Sequence, residues 1–259
     1  MLSAYVAPSL EPDRPLSEVE AFAARLGLPC VSTRPLPTDA IGLIVAQRGL
    51  LLMVPGHRTL AWHAGFAPRR VRDGAHDALV RALDLHPGER VLDATLGFGH
   101  DTYVLLEAGA RVLATEVHPA LAWFADAGLR AALPDRADHL EVRCAEAETT
   151  LSAGDVPAQD HVYIDPLFPD DTVVPNAMWA PLRQVGARGR TLDTLLRLAW
   201  SVARRRVVLK LAPGEPLPCP EGLPAPIRIG SKRTQYACFV RASAVFARPS
   251  GAPCATPEA

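Results

Sequence analysis

The chain has 259 residues, of which 49% are hydrophobic and 21% charged, with a formal net charge of −1. That size and composition fit one large globular domain, or one domain with a small appendage, and argue against a disordered or fibrous chain. No apolar run approaches the roughly 20 residues that cross a bilayer, so no membrane partner is expected, and a near-neutral chain must meet any anionic partner through local basic patches.

The first residues, "MLSAYVAPSLEPDRP", lack a basic stretch leading into a long apolar one, so no secretory signal is expected and a cytoplasmic protein is. Ser17 with Glu20 has the spacing of a capping box, and Gly27 can end the helix it would start, predicting a helix over 18–26. "AIGLIVAQRGLLLMVPG" offers two β-rich runs around Gln47, Arg48 and Gly49, a hairpin pattern. Residues 1–70 therefore read as a small N-terminal α/β subdomain. From residue 71 to 248 helices and strands alternate. "HDALVRALDL" is helical, "RVLDATLGFG" runs from strand into a glycine loop, and "TYVLLEAG" is a helix closed by Gly109. Then come strand "ARVLATEV", helix "PALAWFADAGLRAAL", strands "LEVRCAEA" and "DHVYIDPLF", helix "TLDTLLRLAWSVARR", strand "RVVLKLA" and a closing pair of strands in "PIRIGSKRTQYACFVRASAVF". Such alternation predicts right-handed βαβ units in a mostly parallel sheet. Residues 249–259 read as a flexible tail. Five scattered cysteines without a C-x-x-C pair, and eight histidines without ligand spacing, predict reduced thiols and no metal site.

In "VLDATLGFGHD" (91–101), Asp93 ends a strand, and Gly97 and Gly99 occupy the turn into the next helix. In doubly wound folds ligands sit beyond the carboxyl ends of the strands, where glycines let the backbone approach them. The next strand ends at Glu116, 23 residues after Asp93 and near the offset at which an acidic group meets ribose hydroxyls. Glu146 follows a third strand and can accept from an adenine amino group. Acceptors at successive strand ends suit an adenosine with a cationic tail, whereas a pyrophosphate would want open amides and no carboxylate. The cofactor expected is S-adenosyl-L-methionine rather than NAD.

A fourth strand ends in "HVYIDPLFP", so Asp165 reaches the same edge. Asp165-Pro166-Leu167-Phe168 resembles the [DNS]-P-P-[YF] signature of amino methyltransferases. There a carboxylate and the Pro166 carbonyl can accept both N–H bonds of a planar amine while Phe168 stacks on the base. Taken in order, "VLDATLGFGHD", "VYIDPLFP", "VVLK" and "GSKRTQY" are similar to the RsmJ-type bacterial 16S ribosomal RNA guanine-N2 methyltransferases, whose D-P-M-F-P motif Asp165 to Pro169 match except at Leu167. The resemblance spans roughly residues 70–241. It implies a Rossmann-like class I methyltransferase, with a mostly parallel seven-stranded sheet and helices on both faces, behind a small N-terminal α/β subdomain. It implies cofactor contacts at His100, Asp101, Glu116, Val117, Glu146, Ala147 and Asp165, beside the Asp93, Gly97 and Gly99 already read. Asp165, Pro166 and Phe168 would be catalytic, and the substrate partner 16S ribosomal RNA or the small ribosomal subunit. Alternatives are an amino methyltransferase acting on DNA adenine or a protein amide, and a non-catalytic scaffold that binds cofactor and RNA.

Basic clusters offer phosphate contacts at Arg69-Arg70-Arg72, at Arg183, Arg188 and Arg190, at Arg204-Arg205-Arg206, and at Lys232-Arg233. The stretch 170–190 after Phe168, with Trp179 and its arginines, is the strongest RNA candidate. Lys210 ends its strand beside the motif and can touch RNA or keep only its charged tip in water.

Overall fold

The apolar runs of the sequence assemble into two sheets. The computed structural model describes residues 3–10, 14–154, 156–166, 192–212, 214–230 and 234–241. β1 (Ala4–Pro8), β2 (Ile41–Ala46), β3 (Gly49–Met53) and β4 (Leu60–Ala61) form a four-stranded sheet in that order. β2 and β3 are the expected hairpin, closed by Gln47 and Arg48 with Ala46 opposite Gly49. β1 is a strand that the sequence reading passed over; it pairs in parallel with β2. α1 (Leu16–Leu26) ends as expected at Gly27, whose left-handed φ of 65° lets its N–H reach Ala24 O. The capping box does not form. Pro15, with φ −54°, starts the helix and accepts from Glu18 N–H at 3.0 Å, which leaves Ser17 already inside the first turn.

The second sheet holds β5 (Arg90–Asp93), β6 (Arg111–Glu116), β7 (Leu140–Cys144), β8 (Gln159–Ile164), β9 (Ala203–Leu211), β10 (Ile227–Gly230) and β11 (Gln235–Val240). Its order is β10-β11-β9-β8-β5-β6-β7. β7, β6, β5, β8 and β9 run parallel, and β11 is antiparallel to both its neighbours. This is the doubly wound arrangement that the alternation predicted. The chain walks from β5 to β7 in one direction and from β8 to β9 in the other, so a crevice opens between the carboxyl ends of β5 and β8. The helices are α2 (Ala67–Asp73), α3 (Ala78–Leu83), α4 (His100–Glu107), α5 (Pro119–Ala132), α6 (Ala147–Ser152) and α7 (Leu192–Val202). The arginines after Val202 belong to β9 rather than to α7, because Gln159 and His161 of β8 offer them a strand partner.

The apolar faces of the seven-stranded sheet are covered on both sides. A third core joins the two sheets: Val19, Ile41, Leu43 and Leu52 pack with Phe98, Leu121 and Phe124. Trp62 donates from Nε1 to Phe98 O at 2.8 Å. Its ring lies so close to Gly128 of α5 that a Cβ there would fall 2.1 Å from Cγ. The N-terminal sheet thus buttresses the glycine loop.

Candidate active site

Asp93, buried at the end of β5, directs both carboxylate oxygens into its own loop. Thr95 N–H donates to Oδ1 at 3.0 Å and the Thr102 hydroxyl to Oδ2 at 2.6 Å. Burial pushes its pKa up to about 7 against those two bonds. Gly97 and Gly99 adopt left-handed φ values of 54° and 78°. At Gly99 a side chain would also collide with Leu129, 2.7 Å from the Cβ position. The turn therefore needs glycine for both conformation and space.

Glu116 ends β6 beside that loop. Gly97 N–H donates to its Oε2 at 3.1 Å and His118 N–H to its Oε1 at 3.0 Å. Burial raises its pKa, while these amides and that of Val117 oppose the rise. Each oxygen keeps a further lone pair for a ligand. Glu146, exposed two residues beyond β7, begins α6 without spending its side chain on a cap, and Ala147 behind it is buried. His100 turns away from the crevice: its Nε2 lies 2.9 Å from His63 O, and its ring packs near Trp62, His63 and Phe98.

Asp101 and Asp165 share a half-buried cation. Lys210 Nζ, at the carboxyl end of β9, lies 2.6 Å from Asp165 Oδ2 and 3.2 Å from Asp101 Oδ2. Asp101 also accepts from Arg70 and, at 2.6 Å, from the Tyr163 hydroxyl, while Arg70 reaches on to Asp77 at 2.9 Å. Burial works against the Asp101 charge, but Lys210 and Arg70 outweigh it and hold that carboxyl well below the usual range. Burial raises the Asp165 pKa, with Lys210 opposing it. Asp165 N–H donates to Thr95 Oγ1 at 2.6 Å, which ties the exit of β8 to the glycine loop. Oδ1 of Asp165 has no partner among the described residues, and its side chain is 25% exposed. Asp165 is thus anchored at one carboxylate oxygen and at its amide.

The structure gathers Asp93, Gly97, Gly99, Glu116, Glu146 and Asp165 at one sheet edge, joins Asp101 to Asp165 through Lys210, and engages His100 with His63 O. Lys210 points inward at two carboxylates. The sequence reading missed Arg70, Thr95, Thr102 and Tyr163 as parts of this assembly. The "TLG" spacing after Asp93 was the available sign of the threonine contacts. Phe168, Arg183, Arg188, Arg190, Lys232 and Arg233 lie outside the described residues, as does the stretch 170–190. Among the described residues no cluster of His, Cys, Asp or Glu could hold a metal ion, and no helix is long and apolar enough to cross a membrane.

The profile of the family described as "Putative SAM-dependent methyltransferase" matches residues 59–240. The chain is 33% identical over 208 residues to the ribosomal RNA small subunit methyltransferase J of Halorhodospira halophila, covering 73% of this chain and 78% of that protein. It is 34% identical over 213 residues to the same-named protein of Laribacter hongkongensis, covering 77% and 75%. The chain belongs to this methyltransferase family. A crystal structure of a SAM-dependent methyltransferase from Neisseria gonorrhoeae, 22% identical, superposes with a TM-score of 0.70 over 95% of this chain and all of that one, and shows the same fold. The cofactor is S-adenosylmethionine. The donor set fits it: left-handed glycines keep the turn after β5 clear of side chains, and carboxylates stand at the ends of β6 and β7.

Proposed function

We propose that this enzyme methylates the exocyclic N2 amino group of a guanosine in 16S ribosomal RNA of the small ribosomal subunit, in the cytoplasm. The observation that carries this reading is the placement of Asp165 at the carboxyl end of β8 beside β5, held by Lys210 and Thr95 with Oδ1 unpartnered among the described residues. The relatives named for small-subunit ribosomal RNA supply the substrate class. Residues 1–70 act as a subdomain that supports the glycine loop, and 71–248 as the catalytic domain.

Bound at this edge, S-adenosylmethionine supplies a methyl group activated on a cationic sulfonium. Asp93 shapes the loop in which Gly97 and Gly99 bring backbone amides to the ligand, and His100 and Asp101 add amides from the first turn of α4. Glu116 takes the ribose hydroxyls, Val117 lines that turn, and Glu146 with Ala147 takes the adenine. Asp165 Oδ1 accepts one N–H of the target amine and the Pro166 carbonyl the other, which turns the nitrogen lone pair toward the methyl group. Phe168 stacks on the guanine. As the nitrogen bonds the methyl carbon, the carbon–sulfur bond breaks with its electron pair left on sulfur in the departing thioether. The methylated, cationic amine then gives its proton to solvent, so Asp165 is needed as an acceptor and an orienting group rather than as a strong base.

The test is mass spectrometry of 16S fragments from cells with and without the gene, beside methyl transfer by the purified protein. One guanosine losing one methyl group with the gene supports the reading. Transfer to DNA adenine or to a protein amide instead, or no transfer at all, overturns it.

A further inference from the structure

The three arginines of α2 have different fates. Ala67, Arg70 and Val71 share the inward face: Ala67 and Val71 pack on the core, and Arg70 is bonded to Asp77 and Asp101. Phe66, Arg69 and Arg72, spaced i, i+3 and i+6, share the outward face. Phe66 is 73% exposed, both arginines are exposed, and neither has a carboxylate partner among the described residues.

The helix is tied to the site through its inward face and the turn before it. Gly65 lies against the His100 ring, where a Cβ would come within 3.0 Å, and His63 O meets His100 Nε2. From α2 a continuous set of contacts runs through Arg70, Asp101 and Lys210 to Asp165. In the other described arginine cluster only Arg204 is exposed. Arg205 and Arg206 pair with Glu89 and Asp84 at the opposite end of β9.

An exposed aromatic ring beside two unpaired cations is the combination that holds single-stranded nucleic acid: every base has a face to stack on, and the cations meet the backbone. Arg69 and Arg72 stand about 4.5 Å apart along the helix axis, and their long side chains can spread to neighbouring phosphates. Asp73, exposed at the end of the helix, bounds the patch on that side.

We propose that the outward face of α2 is a docking surface for an unpaired strand of the ribosomal RNA next to the target nucleotide, with Phe66 stacking on a base and Arg69 and Arg72 gripping phosphates. It rests on the substrate class proposed above and assigns that substrate a second foothold, apart from the motif loop.

The experiment uses the full-length protein and unmodified 16S RNA made by transcription. RNA affinity is measured across a salt series, beside kcat and KM for methyl transfer, cofactor affinity and melting temperature. Phe66→Ala should weaken RNA binding roughly 5- to 150-fold, the span of one base–aromatic stack, and raise KM with little change in kcat. Phe66→Trp should restore binding. Arg69→Gln with Arg72→Gln should lower the slope of log affinity against log salt by about 1.4, or roughly 0.7 per contact with a single strand. Cofactor affinity and melting temperature should not move. Wild-type affinity and slope in both variants would overturn the proposal. So would normal binding to naked RNA with a defect only on assembled particles, since that would assign the face to a protein. RNA affinity is read separately from turnover. A protein that binds RNA through α2 but methylates no ribosomal RNA would therefore sink the functional reading and leave this surface standing.

Discussion

β9 carries basic residues at both ends, and the two ends do different work. At its start Arg205 pairs with Glu89 and, at 3.7 Å, with Asp84. Arg206 meets Asp84 at 2.8 Å and Ala82 O at 3.0 Å. His161 adds a contact to Glu89 at 3.0 Å; burial pushes its pKa down to about 4, so this is a hydrogen bond from a neutral ring. There the charges are matched and closed on one another. At its end Lys210 serves two carboxylates, and one of them, Asp165, keeps Oδ1 without a partner among the described residues. In a parallel sheet the carboxyl edge gathers the loops that can reach a ligand, whereas the amino edge has only its own strands to hold together. Charge alone does not mark a site; unspent acceptor capacity at the carboxyl edge does.

The largest expected effect belongs to Asp165. Asp165→Ala removes the acceptor that aims the amine, and a misplacement of about 1 Å can cost on the order of a hundredfold in rate. Asp165→Asn keeps one acceptor oxygen and should lose less. Single-turnover methyl transfer beside melting temperature checks this: a stable Asp165→Ala enzyme with near-normal turnover would show that the end of β8 is only a turn.

How much of this was legible in the sequence depends on the distance between partners. Asp93, Gly97, Gly99 and Glu116 are read from local strand-to-turn patterns, and the structure puts them on one edge. The hairpin around Gln47 is equally local. β1 escaped because "AYVAP" is a short run ended by proline, and only pairing with β2, more than 30 residues away, makes it a strand. The Ser17 box lost to Pro15 because two start signals lay two residues apart. Arg70, Asp101, Lys210 and Asp165 could not be joined by inspection. Asp101 on α4 and Lys210 on β9 are 109 residues apart, and Lys210 meets Asp165 only through the register of β8 against β9.

Glu116 comes next. Glu116→Ala removes a carboxylate held by backbone amides, and affinity for S-adenosylmethionine should fall by about 1.5–3 kcal/mol, the scale of hydrogen bonds to a charged group. Unchanged affinity by calorimetry in a folded variant would move the ribose elsewhere.

Lys210→Met should act mainly through pH. Only ionised Asp165 can accept at Oδ1 and Oδ2 together, and burial already raises its pKa while Lys210 opposes the rise. Without the ammonium the pKa rises further, toward the pH of assay. Asp101 faces the same space as a like charge and Arg70 as a more distant cation, so neither replaces it. The acidic limb of kcat should therefore move to higher pH, with the loss confined to that limb and little change well above it. A uniform loss at every pH would mean that Lys210 only fills space.

The smallest effect is expected at the other end of the strand, and it tests the comparison from its quiet side. Arg205→Gln leaves Glu89 with the neutral His161 and no strong cation of its own, while Arg206 still holds Asp84. The pair is largely but not wholly buried, with side chains 24% and 16% exposed, so solvent screens part of the lost attraction. About 1 kcal/mol is the expected cost, or a fall of about 2–4 °C in melting temperature. Five steps of strand separate Arg205 from Lys210, about 17 Å at the usual rise. Neither the contacts of Asp165 nor those of Glu116 pass through Glu89. Per folded molecule, kcat, KM for RNA and cofactor affinity should therefore match the wild type. A loss of turnover in Arg205→Gln without a loss of stability would show that the amino edge is coupled to the crevice, and that the two ends of β9 are not separate in function.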